Sequence, residues 1–138
     1  MAFRPISLVV LCLALSSCSE GGFIGRPQQY SGVWLDEFEG STFVEGATGT
    51  PKTFPVPKKT DWFEWRDQPL LEAVMNERPE DGGCHDVLPV LVTFVGRRTY
   101  YPFGGTGHLG MWRSKITVQR TISAKRLGPS LCYDANHP

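Results

Sequence analysis

The chain has no apolar run long enough to cross a bilayer as a helix, since its one sustained apolar segment, Ile6 to Leu15, is about half the roughly 20 residues required. It has almost no net charge, with 14 basic against 14 acidic side chains, so the balance that would point to nucleic acid as a partner is missing. It has four cysteines and three histidines, but no CxxC and no HxxxH pair that would form half of a metal site. No serine sits in a G-x-S-x-G context, and the carboxylates show no spacing that singles out an acid/base pair. Internal repeats and low-complexity segments are also lacking. These absences argue against an integral membrane protein, a nucleic-acid binder, a metalloenzyme and a Ser-His-Asp hydrolase, and the expectation is a chain that is not an enzyme and uses no cofactor.

What is present begins at the amino terminus. Arg4 supplies a basic start, Ile6 to Leu15 an apolar stretch of signal-peptide length, and Leu15-Ser16-Ser17-Cys18 follows at once. The small residues leave the backbone slim enough for a signal peptidase. The segment resembles the lipobox of bacterial lipoproteins. That resemblance implies diacylglyceryl modification of Cys18, cleavage before it, and acylation of the new amine. Several acyl chains, at about 0.8 kcal/mol per buried methylene, make dissociation negligible. Ser19 after the cysteine implies, by the same family's sorting rule, the outer membrane rather than the inner, with the chain facing the periplasm. An ordinary secreted protein cut nearby, with Cys18 left as a free or paired thiol, is the alternative. On this division residues 1–17 are the signal, and 18–29, with Gly21, Gly22, Gly25 and Pro27, are a flexible tether reaching on the order of 18 Å. One domain over 30–127 and a carboxy-terminal tail over 128–138 complete it.

With Cys12 removed and Cys18 acylated, Cys84 and Cys132 remain, and in an oxidising compartment they read as one disulfide. Closing that loop would stabilise the fold by roughly 4 kcal/mol in the chain-entropy model and pin the tail. Charge is segregated along the mature chain. Thirteen of the acids precede Val87, whereas the seven bases from Arg97 onward face only Asp134. The two halves are expected to neutralise each other across one sheet; a basic face toward anionic lipid headgroups or a polyanionic partner is the functional alternative.

The local patterns are those of β-structure. Val33-Trp34-Leu35 and Thr42-Phe43-Val44 flank a turn at Glu39-Gly40-Ser41, and Asp61 to Arg66 is an aromatic-rich strand. Asp67 is placed to cap a short helix over 68–78 with Leu70, Leu71, Val74 and Met75 on one face, stopped by Pro79. Val87 to Arg98 is the strongest strand signal, with Pro89 near its start. In the last strand, Lys115 to Leu127, Arg120 interrupts the apolar set and predicts a kink or bulge. About five strands and one helix predict an all-β fold, a small OB-like barrel or β-roll, with a two-layer sandwich as the alternative.

Gly105-Thr106-Gly107-His108-Leu109-Gly110 satisfies G-x-G-x-x-G, but a dinucleotide site needs a helix after the glycines and β-structure follows here, so these residues read as a loop with positive φ angles. Phe94-Val95-Gly96-Arg97-Arg98 and Gly107-His108-Leu109-Gly110-Met111-Trp112, with Ile116 and Val118 after them, are similar to the carboxy-terminal halves of small uncharacterised bacterial proteins. The resemblance implies that Arg97, Arg98 and His108 form one local cluster. In a structural role Arg98 bonds loop carbonyls and His108 the turn backbone; in a functional one Arg97, Arg98, His108 and loop amides form an anion pocket. Tyr100, Tyr101 and Trp112 read as core rings with polar tips at the surface, and an exposed recognition edge is the alternative. A metal set drawn from Cys84, His85, His108, Cys132 and His137 has suitable ligand types and unconvincing spacing. The functional expectation is a membrane-anchored periplasmic lipoprotein whose domain binds an envelope protein or a glycan. The alternative is a small-ligand or metal-binding protein using Arg97, Arg98 and His108.

Overall fold

A computed structural model describes residues 21–77 and 87–132. The signal, Cys18, Cys84, His85 and His137 lie outside the described residues. The strands are β1 (Phe23–Ile24), β2 (Gln28–Glu37), β3 (Gly40–Glu45), β4 (Asp61–Glu64), β5 (Val87–Tyr100) and β6 (Ser114–Arg126), with one α-helix, α1 (Pro69–Asn76), between β4 and β5. They form one sheet in the order β1-β5-β2-β3-β4-β6, and a further β5–β6 pairing closes it into a ring. All pairs are antiparallel except β4 with β6. The fold is therefore all-β, as the alternation of apolar residues predicts. Five ring strands in the order β2-β3-β4-β6-β5, a parallel β4–β6 pair and a helix between β4 and β5 give the connectivity of an OB-like fold. The ring is not a regular barrel, because β4 has only four residues with which to close it.

Side chains that alternate inward fill the ring. Tyr30 and Trp34 from β2, Phe43 from β3, Phe63 from β4, Leu88, Val90, Val92 and Phe94 from β5, and Ile116 and Val118 from β6 form one core. Phe63 sits at its centre, with ring centroids of Trp34, Phe94 and Phe43 at 5.0, 5.2 and 5.7 Å. Each such side chain contributes roughly 1.5–3 kcal/mol by leaving water. Trp34 Nε1 donates to Ser41 Oγ (3.0 Å), which donates to the Phe63 carbonyl (2.6 Å), so the largest core residue also joins two strands by hydrogen bonds.

One end of the ring is closed by α1, which inserts Leu71 and Val74 into the core. Leu70, expected on that face, is instead 45% exposed. The capping expectation also changes: Gln68 occupies the N-cap without a side-chain cap bond, and Asp67 is in a left-handed conformation (φ 52°). Pro69 opens the helix without losing a hydrogen bond, since the first amides of a helix have no intrahelical partner. Gln68 serves the tertiary structure, its Oε1 accepting from the Thr121 backbone N–H and hydroxyl (2.8 and 2.9 Å).

A second apolar cluster lies outside the ring, where Val33, Leu35 and Val87 are covered by Phe54, Leu127 and Leu131 among others. Leu131 forms a β-bridge with Val87, so the tail is docked at this point, and the adjacent Cys132 is disulfide-bonded. The bulge expected near Arg120 is present. The β5–β6 register shifts between Thr93 and Phe94 and between Val95 and Gly96, leaving Ile122 and Gln119 unpaired on either side of Arg120. The stretch read as a tether is partly structured: β1 pairs Phe23 with Tyr100 and Ile24 with Thr99, and β2 begins at Gln28.

Candidate functional site

The chemistry-bearing residues gather around the end of the ring opposite α1. From Phe94 the inward alternation of β5 continues through Gly96 to Arg98, so the guanidinium lies over the core rather than outside it. Arg98 Nε donates to Asp61 Oδ1 (3.0 Å) and Nη2 donates to Asp61 Oδ2 (2.8 Å) and Glu45 Oε2 (2.6 Å). Its Cζ stands 5.1 Å from the Tyr30 ring centre and 5.9 Å from that of Tyr100. Ser114 Oγ donates to Asp61 Oδ1 (2.6 Å). Burial alone would lower the Arg98 pKa, but the hydrogen bonds it donates to Asp61 and Glu45 outweigh it and raise the group above its ordinary value. The guanidinium is thus a permanently charged plug. Its bonds go to carboxylates, not to the loop carbonyls expected from the sequence.

The three residues of the expected cluster have separate partners. Arg97, next to Arg98 on the strand, points the other way and donates to the Gly25 carbonyl (3.4 Å). His108 Nε2 lies 3.6 Å from Glu39 Oε2, a contact that becomes an ion pair when the imidazole is protonated. Of the alternative aromatic edge, Tyr100 is half exposed and Tyr101 partly so, whereas Trp112 is buried. Trp112 packs edge-on against Trp62 at 4.9 Å. Its indole N–H has no partner among the described residues. Among the described residues no group of three His, Cys, Asp or Glu is arranged to hold a metal ion.

Part of the charge segregation of the sequence is met by pairing between the two halves: Arg98 with Glu45 and Asp61, and Lys115 with Glu64 at 3.3 Å. For Lys115, burial would lower the pKa, but the Glu64 carboxylate and the Tyr101 hydroxyl raise it overall. Asp61, Glu45 and Glu39 escaped the sequence reading. For Asp61 and Glu45 the available signal was the extension of the β5 alternation to Arg98, which puts a cation over the core where it needs acidic partners.

The 101–113 connection between β5 and β6 is the most specialised surface feature. Tyr101 N–H donates to the Arg113 carbonyl (2.8 Å), Thr106 and Trp112 exchange backbone bonds (2.9 and 3.2 Å), and Arg113 donates to the Gly104 carbonyl. Gly107 (φ 72°) lies flat on Trp62, where a Cβ would collide with the indole. The loop is therefore braced, yet it displays Phe103 (97% exposed) and Leu109 (83%). Leu109 itself is held at φ 52°, ψ 20°, a region that disfavours side chains with a Cβ. Through the Glu39–His108 contact this loop meets the β2–β3 turn, whose Phe38 is 87% exposed.

Comparison of the chain with protein-family models, with curated proteins and with solved structures finds no match.

Proposed function

We propose that this chain is a lipid-anchored envelope protein, attached through Cys18 to the outer membrane and facing the periplasm. In this reading its OB-like domain is a binding or assembly module rather than an enzyme. The anchor rests on Leu15-Ser16-Ser17-Cys18 and the apolar stretch before it. The binding role rests on Leu109. An apolar side chain held outward in a disfavoured backbone conformation, on a loop fixed by hydrogen bonds, lowers the stability of the isolated domain, and such strain gathers where a surface is shaped for a partner. Phe38 and Leu109 flank the Glu39–His108 contact and form the apolar part of the proposed surface. In OB-folds the corresponding two connections carry ligand contacts, which adds support by fold analogy alone. The apolar tips favour an envelope protein over a glycan. An anion pocket made of Arg97, Arg98 and His108 receives less support, since Arg98 is already occupied by two carboxylates.

The test is crosslinking in intact envelopes followed by detergent solubilisation and purification of the full chain. The expected result is a defined crosslinked species that Leu109→Asp and Phe38→Asp each abolish while the chain remains folded and acylated. An identical crosslink pattern for wild type and both variants would overturn the reading.

A further inference from the structure

We infer that the end of the domain carrying Phe23 and Phe103 rests directly on the bilayer that holds the anchor, an inference that depends on acylation of Cys18 as proposed above. The argument begins with where the chain enters the fold. Gly21, the first described residue, lines a cavity of about 500 Å³ together with Tyr101 and Phe103–Thr106. Gly22 is pressed against β5, where a Cβ would lie 2.7 Å from Thr99 Cγ2 and 3.0 Å from the Tyr101 ring. Only Ser19 and Glu20 separate Cys18 from Gly21, three Cα-to-Cα steps that span at most about 11 Å even when fully extended. An acylated Cys18 at the headgroup level therefore cannot hold this end of the ring far from the membrane.

The side chains at that end suit such a position. Phe23 and Ile24 are each 70% exposed and Phe103 is 97% exposed, apolar surface that no other part of the described chain covers. Tyr100 and Tyr101, with an apolar body and a polar tip, are the residue type enriched at membrane interfaces. Cations surround them: Arg97 bonds the Gly25 carbonyl, Arg113 bonds the Gly104 carbonyl, and Arg26 is exposed between β1 and β2. Of the acids at this end, Glu45 and Asp61 share the single positive charge of Arg98, which offsets one of their two negative charges. Aromatic and apolar tips ringed by guanidinium groups match the boundary between acyl chains and anionic headgroups. The patch is too small to bind a membrane alone. The tether removes that requirement, because a weak contact becomes persistent when its partner is held at high effective concentration.

The experiment is hydroxyl-radical footprinting, read by mass spectrometry, on the full acylated chain in vesicles of phosphatidylethanolamine and phosphatidylglycerol. Leu70, 45% exposed on α1 at the far end of the ring, is the internal reference. Docking predicts several-fold lower oxidation of Phe23 and Phe103 than in the unacylated Cys18→Ser chain free in solution, with Leu70 unchanged. A Phe23→Asp/Phe103→Asp variant should stay acylated and vesicle-bound while its Ile24 and Tyr100 return to the rates seen in solution. If the mass of the amino-terminal peptide shows acylation, and the protein floats with vesicles, but Phe23 and Phe103 oxidise as fast as in solution, docking is wrong and the anchor stands. If that peptide carries no acyl group, the anchor fails and docking falls with it. Protection that appears only when solubilised envelope proteins are added would assign the patch to a protein and overturn the bilayer as its occupant.

Discussion

Arg98 grips Asp61 with two parallel hydrogen bonds, Nε to Oδ1 and Nη2 to Oδ2, across the mouth of the strand ring. The Asp61 side chain is 8% exposed and that of Arg98 15%, so each charge depends on the other for the solvation it has given up. Removing Arg98 leaves Asp61 with the Ser114 hydroxyl alone, whereas removing Asp61 leaves Arg98 paired with Glu45. Arg98→Met is therefore expected to destabilise the domain by about 3 kcal/mol, because a buried pair broken on one side leaves an uncompensated charge, and Asp61→Ala by less. The Asp61→Ala/Arg98→Met double variant should lose less than the sum of the two single losses. Urea denaturation of the four proteins checks this, and additive losses would show that the two residues do not act as a pair.

Leu109→Gly should have the opposite effect on stability. Glycine adopts the φ of 52° without the Cβ penalty, so the variant is expected to gain about 0.5–1 kcal/mol after allowing for the greater entropy of its unfolded chain. Thermal melts of wild type and variant provide the measurement. A lower midpoint for Leu109→Gly would mean that the side chain contributes packing that outweighs the strain.

Gly107→Ala tests how the loop is seated. At φ 72°, with the Trp62 ring beneath it, a methyl group has no room, and a loss of about 2–3 kcal/mol is expected. The same change should lift the loop off Trp112, which is otherwise 2% exposed, and shift tryptophan emission to longer wavelength. Unchanged emission with unchanged stability would show that the loop does not depend on this contact.

Glu37 gives the fold a pH dependence. Burial raises its pKa above the ordinary value; the bond from Thr42 Oγ1 (3.2 Å) opposes the shift, and Asp36 adds to it. A carboxyl whose pKa is higher folded than unfolded carries no penalty while it is protonated in both states. The penalty develops as pH rises from the unfolded pKa, about 4.3, through the folded one. Glu37→Gln keeps an acceptor for Thr42 and should therefore stabilise the domain at pH 7, with the gain vanishing near pH 3.5. A gain that is equal at both pH values would remove the titration of Glu37 as its source.

Cys132 lies beside the Leu131–Val87 bridge and is disulfide-bonded. With Cys84 as its partner, Cys132→Ser should cost about 2–4 kcal/mol in non-reducing buffer and nothing in excess reductant. Peptide mapping of the unreduced protein identifies the partner directly.

Much of this architecture is written in local patterns. Val90, Val92 and Phe94 alternate clearly enough to define β5, and Arg120 marks the irregular stretch of β6 because a charge cannot continue an inward apolar face. The helix is legible between Asp67 and Pro79, though not its exposed Leu70. What local pattern cannot convey is pairing at a distance. Phe23 and Ile24 form a strand only because β5 extends far enough to receive them. Trp112 faces Trp62 rather than solvent because Gly107 lets the loop fold flat, a fact that neither indole's neighbours in sequence reveal. Arg97 and Arg98 look alike in sequence, yet strand alternation sends one toward Gly25 and the other to Asp61.

The parallel pairing of β4 with β6 has a consequence for synthesis. Glu64 and Thr117, joined across that pair by a 2.9 Å hydrogen bond, stand 53 positions apart in the chain. Such a contact forms slowly, because the intervening polypeptide must be ordered first. A nascent chain emerging amino terminus first would have no means of closing its own circle until its last strand had been made. It would therefore stay pliable throughout synthesis and lock only at the end.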